Sequence, residues 1–372
     1  MNDYLKHYKV KILALSPIFI GSGKKISKKE YIYMPWNHCV IVPDVEKMYT
    51  ALQRKNLTQG FQDYILRQGN YAPSLGEWLG KNGFKEKDYD AWKRYEMDAG
   101  EAFLAKGTAR PKEIEAFVKD SYELPYVPGS SIKGMFRTAL LAWEIQKNPR
   151  RYEKEKNELA RNARAGGKRN IYLLRDMKNL EFQTFGTLHA DDTQNMVNDN
   201  MRGIRVSDSA PISLDQLTLC QKIDYTLDGV TKPLPILRES LIPGTEIFFD
   251  VTIDTELSPY TMEDIIEALN TFHQISDKYF YSRFHKTRPE KDIIWLGGGC
   301  GFLSKTILYP MFGNDAVRVA DSVYQSTLGK LYNVHKHSKD IRLNLAPHVC
   351  KCTKYRGELY DIGKGKIEYM EE

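Results

Sequence analysis

The sequence predicts an α+β fold of ferredoxin-like type, a sheet with two helices on one face and helical material inserted between its elements. Three observations predict it. The chain opens on an alternating strand pattern, two long helical periodicities follow at residues 130–148 and 260–280, and strand-like segments lie between and after them. With two insertions set aside, at about 44–120 and about 147–200, the order reads β-α-β-β-α-β within residues 1–310. Residues 311–372 mix short elements and are expected to form a partial second lobe.

Tyr8, Val10, Ile12 and Ala14 alternate with Lys9 and Lys11, the period-two pattern of a strand. Pro17 and the cluster Gly21-Ser22-Gly23 end it. Residues 31–33 and 39–42 read as short strands. From 44 to 120 helical patterns dominate, from DVEKMYTALQRKN to PKEIEAFVKD, with Asp44 and Ser74 as N-caps. Glycines break these helices, so they form an inserted lobe rather than a repeat array. In SSIKGMFRTALLAWEIQKN, Ile132, Met135, Phe136, Ala139, Leu140 and Trp143 recur at three-and-four spacing and predict one buried face. Pro149 closes that helix. Strands resume in GIRVSDSAPI and QLTLCQKIDYTL, and LPILRESLI and TEIFFDVTID flank Pro243-Gly244 as a hairpin. YTMEDIIEALNTFHQISDKYF is the longest helical pattern, and the glycine cluster in LGGGCGFLSKTILYP leads into a last strand.

Hydrophobic residues make up 42% and charged residues 27% of the 372, a composition able to bury a core. No run of eighteen apolar residues occurs, so no membrane span is expected. The opening MNDYLKHYKVKI lacks the apolar core of a secretory signal, and five cysteines suit a reducing compartment; a cytoplasmic location is expected. The net charge is +6, and residues 147–169 hold nine Lys/Arg against three Asp/Glu, an excess equal to that net charge. Two readings of this segment stand, a solvated surface helix with its loop or a basic arm that reaches a polyanion.

Three glycine-bearing segments adjoin regular elements. IGSGKK is not a nucleotide-binding P-loop, because Ile18 stands where the first glycine must be and Lys25 where the magnesium-binding hydroxyl must be. Its backbone N–H groups with Ser22, Gly23, Lys24 and Lys25 suit a phosphate all the same. In YVPGSSIKGMFR, Gly129 follows a proline turn, Ser130 or Ser131 is the expected N-cap, and Lys133 and Arg137 lie four apart on one face. The first turn of a helix attracts an anion, and Gly134 there makes sense where another backbone approaches closely. The third segment holds Gly298 and Gly299, with Lys305 beyond. If the fold gathers the three, they form a groove for a phosphate backbone, and Tyr and Phe (23 and 15) are plentiful enough to stack some bases.

Other chemistries find less support. His335, His337, His348, Cys350 and Cys352 include side chains that zinc accepts, but the paired C-x₂-C knuckle is missing, so packing is the commoner reading and neither metal nor cofactor is expected. Asp191-Asp192 and Asp208 have no spacing that requires a metal, and Asp208 reads as a turn or strand-end cap. There is no G-x-S-x-G elbow, and His38 and His189 are the possible acid–base actors near polar segments, neither with an evident partner in sequence.

IGSGKK after the first strand, YVPGSSIKGMFRTALL, RVSDS and the late glycine-rich loop, in that order, resemble the RAMP superfamily of CRISPR proteins. With APHVCKCTKYRGELYDIG near the C-terminus, the chain is most similar to the fifth subunits of type III-A Csm complexes. The resemblance implies a non-catalytic CRISPR RNA-binding subunit in antiviral defence. Such a subunit caps the filament over the 3′ region of the RNA and supports its maturation. It also implies an RNA path lined by Ser22, Gly23, Lys24, Ser130, Ser131, Lys133 and Arg137. The implied partners are CRISPR RNA, other Csm subunits and, in some systems, host ribonucleases that mature the 3′ end. Filament subunits of the superfamily carry a catalytic aspartate after the first glycine segment; here Glu30 is the only carboxylate in KKISKKEYIY, which argues against target cleavage. The alternative within the superfamily is a metal-independent endoribonuclease that processes CRISPR RNA precursors.

Overall fold

The computed structural model describes residues 4–67, 73–103, 112–165, 169–187, 196–284 and 290–372. Its first sheet runs, edge to edge, through strands Ile293–Trp295, Lys364–Glu371, Leu5–Ala14, Glu246–Asp254 and Ile204–Val206, each antiparallel to its neighbours. Tyr8, Val10, Ile12 and Ala14 are buried as their alternation requires, and Ile247, Phe249, Val251 and Ile253 alternate in the same way beside them. Against that face pack the helices Gly129–Lys147 and Met262–Tyr279, which also touch each other. Thr261 and Asp264 form a capping box at the start of the second helix, which fixes where its periodicity begins. Among the described residues, no helix is long and apolar enough to cross a membrane.

Two features of this sheet depart from expectation. The strand expected after the glycine cluster precedes it, at Ile293–Trp295, and the residues beyond form a 3₁₀ turn at Leu303–Lys305 and a helix at Leu308–Phe312. A short apolar run reads alike as buried strand or buried helix, and all five residues of Leu308–Phe312 are buried. The place beside Leu5–Ala14 goes instead to Lys364–Glu371, with Ile12 opposite Ile367. Residues 311–372 therefore do not stand apart as a lobe. They supply helices Ala316–Leu328, Lys330–Val334 and Ser338–Leu343, two strands of the second sheet, and this inner strand of the first.

The second sheet runs through Gly21–Ile26, Ile114–Phe117, Thr231–Leu241, Leu217–Thr226, Lys93–Asp98, Cys39–Pro43 and Ile32–Met34. It branches where Val349–Tyr355 pairs with the far half of Leu217–Thr226 and carries Glu358–Asp361 outward. The hairpin expected across Pro243-Gly244 does not form. Thr231–Leu241 pairs back on Leu217–Thr226 in the second sheet, while Glu246–Asp254 lies in the first. Leu241 exchanges hydrogen bonds with Ile18, and the Gly244 N–H donates to Ala14 O at 2.7 Å, so this turn carries the chain from one sheet to the other.

The inserted lobe holds helices Val45–Arg54, Thr58–Leu66, Leu75–Lys81 and Glu86–Ala91 around a small core of its own, with Leu52, Tyr64, Leu75 and Leu79 at its centre. Asp44 accepts from Glu46 and Lys47 N–H, and Ser74 makes a capping box with Glu77, as their positions predict. Two strands were hidden in this region. Lys93–Asp98 buries Tyr95 and Met97 at period two, and PKEIEAFVKD, read as helix, is the strand Ile114–Phe117. A fully buried Glu239 ties both in: it accepts from Tyr95 O–H at 2.7 Å and Phe117 N–H at 2.8 Å, and it pairs with Lys119. The basic segment is a 3₁₀ turn, Pro149–Tyr152, and a surface helix, Glu153–Ala165, that buries Leu159 and Ala163.

Candidate nucleic-acid interface

Helix Gly129–Lys147 begins one residue earlier than its serines suggest. Pro128 is the N-cap residue, and neither serine caps it. The cap comes from across the fold: Asp208 Oδ1 accepts the Gly129 N–H at 2.8 Å. This seats the first turn against the end of strand Ile204–Val206, and a Cβ on Gly129 would lie 2.3 Å from Val206 O. One orphan donor of the helix start is thereby satisfied internally, and Ser130 and Ser131 are turned outward, their hydroxyls without hydrogen-bond partners among the described residues.

Those serines line a groove of about 500 Å³ together with Gly134 and Thr138 of the same helix. The opposite wall is Gly297, Gly298 and Lys305, and Phe19, Ile20 and Gly21 close the end. Segments more than a hundred residues apart in sequence meet here because the backbones interlock. The Gly298 N–H donates to Phe19 O at 2.8 Å, and a Cβ on Gly297, at φ 95°, would stand 2.2 Å from that same oxygen. A Cβ on Gly134, by contrast, would meet nothing within 4 Å. The close backbone approach that this glycine suggests comes from no described part of the chain, and the space above it is open.

The cations divide sharply. Lys305 is exposed and has no carboxylate partner among the described residues, and the same holds for Lys24 on the edge strand Gly21–Ile26. Lys25 is paired with Glu113 at 2.7 Å. Along that strand Ser22 Oγ donates to Ala116 O, Gly23 adopts φ 79°, and only Gly21 reaches the groove. Arg137 does not face the groove. Its guanidinium donates to Glu181 at 3.0 Å and Asp199 at 2.7 Å and lies over the Phe185 ring, clamping the Arg169–Phe185 helix onto Gly129–Lys147. Lys133 stands on the same flank, half-buried; desolvation lowers its ammonium below the ordinary value, with Asp199 opposing and Arg137 adding to the shift. Gly299 packs on Ile362 rather than the groove.

Aromatic rings do not offer the groove a stacking platform. Phe19 and Trp295 border it but are each 6% exposed; Arg238 covers the Phe19 ring, and Tyr281 stacks on Trp295 at 4.2 Å. The lining residues include no carboxylate and no imidazole.

A model of the RAMP superfamily matches residues 11–304. The CRISPR system Cms protein Csm5 of Mycobacterium tuberculosis is 31% identical, over 99% of this chain and 98% of its own length. The chain belongs to the Csm5 family of the RAMP superfamily. A Csm5 relative from Streptococcus thermophilus is 28% identical over 93% of this chain and 90% of its own. Among solved structures, a chain in the cryo-EM structure of a Csm-crRNA-target RNA ternary complex of a type III-A CRISPR-Cas system matches with a TM-score of 0.63 at 17% identity, covering 97% of this chain and 100% of that one. The crystal structure of T. onnurineus Csm5 matches at 0.60 and 15% identity, covering 96% and 99%. At these identities the two structures speak for the fold.

In this Csm5-family chain Glu30, His38 and Asp208, raised as acids, bases or metal ligands, each have a hydrogen-bond partner. Glu30 accepts the Ser27 N–H at 2.8 Å and caps its turn. His38 Nε2 lies 2.5 Å from Gly100 O at a backbone φ of 53°. Asp208 is the helix cap already described. His189, Asp191 and Asp192 lie outside the described residues. Sequence reasoning missed Thr138 and Ser304 as groove residues; Thr138 was legible one turn beyond Gly134 on the helix face that carries Ser131.

Proposed function

We propose that this chain is a non-catalytic, RNA-binding subunit of a type III-A Csm interference complex, one that holds the phosphate backbone of CRISPR RNA and caps the filament over the 3′ region. The observation that carries this reading is the groove: three glycine-bearing segments converge on it and leave two serines and Lys305 without side-chain partners among the described residues, and an open space at Gly134. Unpartnered hydroxyls and a free cation suit phosphate oxygens, which every sequence presents alike. The names and assembly of the Csm5 relatives support the choice of polyanion. A lining without carboxylate or imidazole favours holding RNA over cutting it. The remainder of the path follows the edge strand at Ser22, Gly23 and Lys24, with Lys133 further along the helix, and maturation of the 3′ end would depend on the RNA being held there, with host ribonucleases as partners.

Filter binding of single-stranded RNA across a salt series tests this. With about three phosphates neutralised, by Lys24, Lys133 and Lys305, log affinity falls against log salt with a slope of about −2 and depends little on sequence. An affinity indifferent to salt would remove the phosphate groove. Incubation with repeat-containing RNA without metal should leave the RNA intact, and a defined cut would restore the endoribonuclease alternative.

A further inference from the structure

Where the C-terminal hairpin joins the second sheet, two thiols face one carboxylate. Cys350 and Cys352 are two apart on Val349–Tyr355 and so share a face of the strand, where they are 1% and 0% exposed. Asp361 is the strand partner of Cys352. Its Oδ1 accepts from the Cys350 thiol at 3.3 Å and from the Cys352 thiol at 3.5 Å, and the three candidate ligand atoms are all within 4.8 Å of one another. We propose that Cys350, Cys352 and Asp361 bind a zinc ion or a divalent ion of similar thiophilicity.

The distances carry this. Zinc holds thiolate sulfur at about 2.3 Å and carboxylate oxygen at about 2.0 Å, and tetrahedral angles then separate the two by about 3.5 Å. Both observed separations are close to that spacing. The neighbouring cluster of His337, Asp340 and His348 supplies the contrast. There His337 Nδ1 is 2.9 Å from Asp340 Oδ2, whereas nitrogen and oxygen ligands on one zinc stand about 3.3 Å apart. His337 and His348 instead both turn Nδ1 to the buried Asp340, so that cluster is a hydrogen-bonded unit, and it draws His348 away from the two cysteines. The missing C-x₂-C knuckle no longer counts against a metal, because the third ligand comes from the facing strand. Two thiolates and one carboxylate leave a fourth position for water, and binding releases the thiol protons to solvent.

The site would also brace the wall of the groove. Ile362, next to Asp361, fills the space against Gly299, where a Cβ would meet it at 2.1 Å, and the Gly363 N–H donates to Pro17 O at 2.9 Å.

The test uses the full-length protein, stripped with a chelator and titrated with cobalt(II) under reducing conditions. The expected result is one cobalt per chain with a thiolate-to-cobalt charge-transfer band, displacement by zinc, and a higher melting temperature with metal bound. Because both thiols are buried, alkylation of the wild type is read in mild denaturant that opens this region, with and without zinc; peptide mapping should show zinc protecting Cys350 and Cys352 together, so the assignment needs no variant that could fail to fold. Cys352→Ser should abolish the band, and Asp361→Asn should weaken uptake at least tenfold. No charge-transfer band in the wild type, or protection confined to Cys39, Cys220 or Cys300, would overturn the site.

Discussion

The groove and the open face of the first sheet both present lysine and treat its charge in opposite ways. The sheet face forms the larger depression, about 680 Å³ against about 500 Å³, and it holds Lys9, Lys11 and a half-exposed Phe248. Yet Lys9 is paired with Asp250 at 2.8 Å, and Lys11 with Glu368 at 3.1 Å and Glu246 at 3.4 Å. A phosphate arriving there would have to displace carboxylates and would meet Asp208 and Asp250 in the lining. In the groove Lys305 has no such competitor among the described residues. The comparison teaches that the supply of unpaired donors, rather than the size of a concavity or its count of lysines, marks the surface suited to a polyanion.

The largest effect that would break this contrast is loss of the groove itself. Gly129→Ala places a Cβ 2.3 Å from Val206 O and 2.6 Å from Ser207 O, so the helix start must leave the strand and its Asp208 cap. The expected cost is about 3 kcal/mol or more in denaturant unfolding, and a variant as stable as the parent would show that the two backbones are not in contact.

Next in size is Lys305→Ala, which removes a charge-assisted contact worth about 1.5–3 kcal/mol, so RNA binding should weaken by roughly tenfold or more with a salt slope shallower by about one. Lys11→Ala on the sheet face is its control. Exposed pairs contribute at most about 1 kcal/mol to stability, and RNA affinity should not move. Equal losses in both variants would erase the distinction between the two surfaces.

Arg137→Ala should act on the fold rather than on RNA. Its pairs with Glu181 and Asp199 are partly exposed, with 27% of the arginine side chain accessible, so solvent screening limits the loss to about 1–2 kcal/mol including the Phe185 contact. RNA binding measured on the folded fraction should be unchanged, and a selective loss of affinity would return this residue to the RNA path.

The smallest change sharpens the contrast most. Gly134→Ala should raise stability by about 1 kcal/mol through helix propensity, because its Cβ meets no atom of the chain, while occupying space needed by the ligand. Higher melting temperature with weaker RNA binding is the expected pair of results. If affinity rises together with stability, the open space at Gly134 is not where the backbone passes.

Local rules made much of this molecule legible. Asp44 and Ser74 cap their helices because a side chain there reaches N–H groups two or three residues on, and Tyr8 to Ala14 bury alternate positions because a strand leaves no other choice. The same local reading marked Ser130, Ser131, Gly298 and Lys305 before any fold was in view, and each lines the groove. Tertiary structure alone decided the rest. Asp208 caps Gly129 from 79 residues away, Glu181 and Asp199 claim Arg137 across 44 and 62, and Asp361 meets two cysteines only through the register of a hairpin. Pro243-Gly244 reads locally as a hairpin turn, yet its two flanking strands belong to different sheets, since each buries its apolar side against a different partner. Periodicity and capping act within one or two turns of chain, so sequence records them; which donor meets which acceptor is settled when distant elements compete for the same core, and no short stretch contains that outcome.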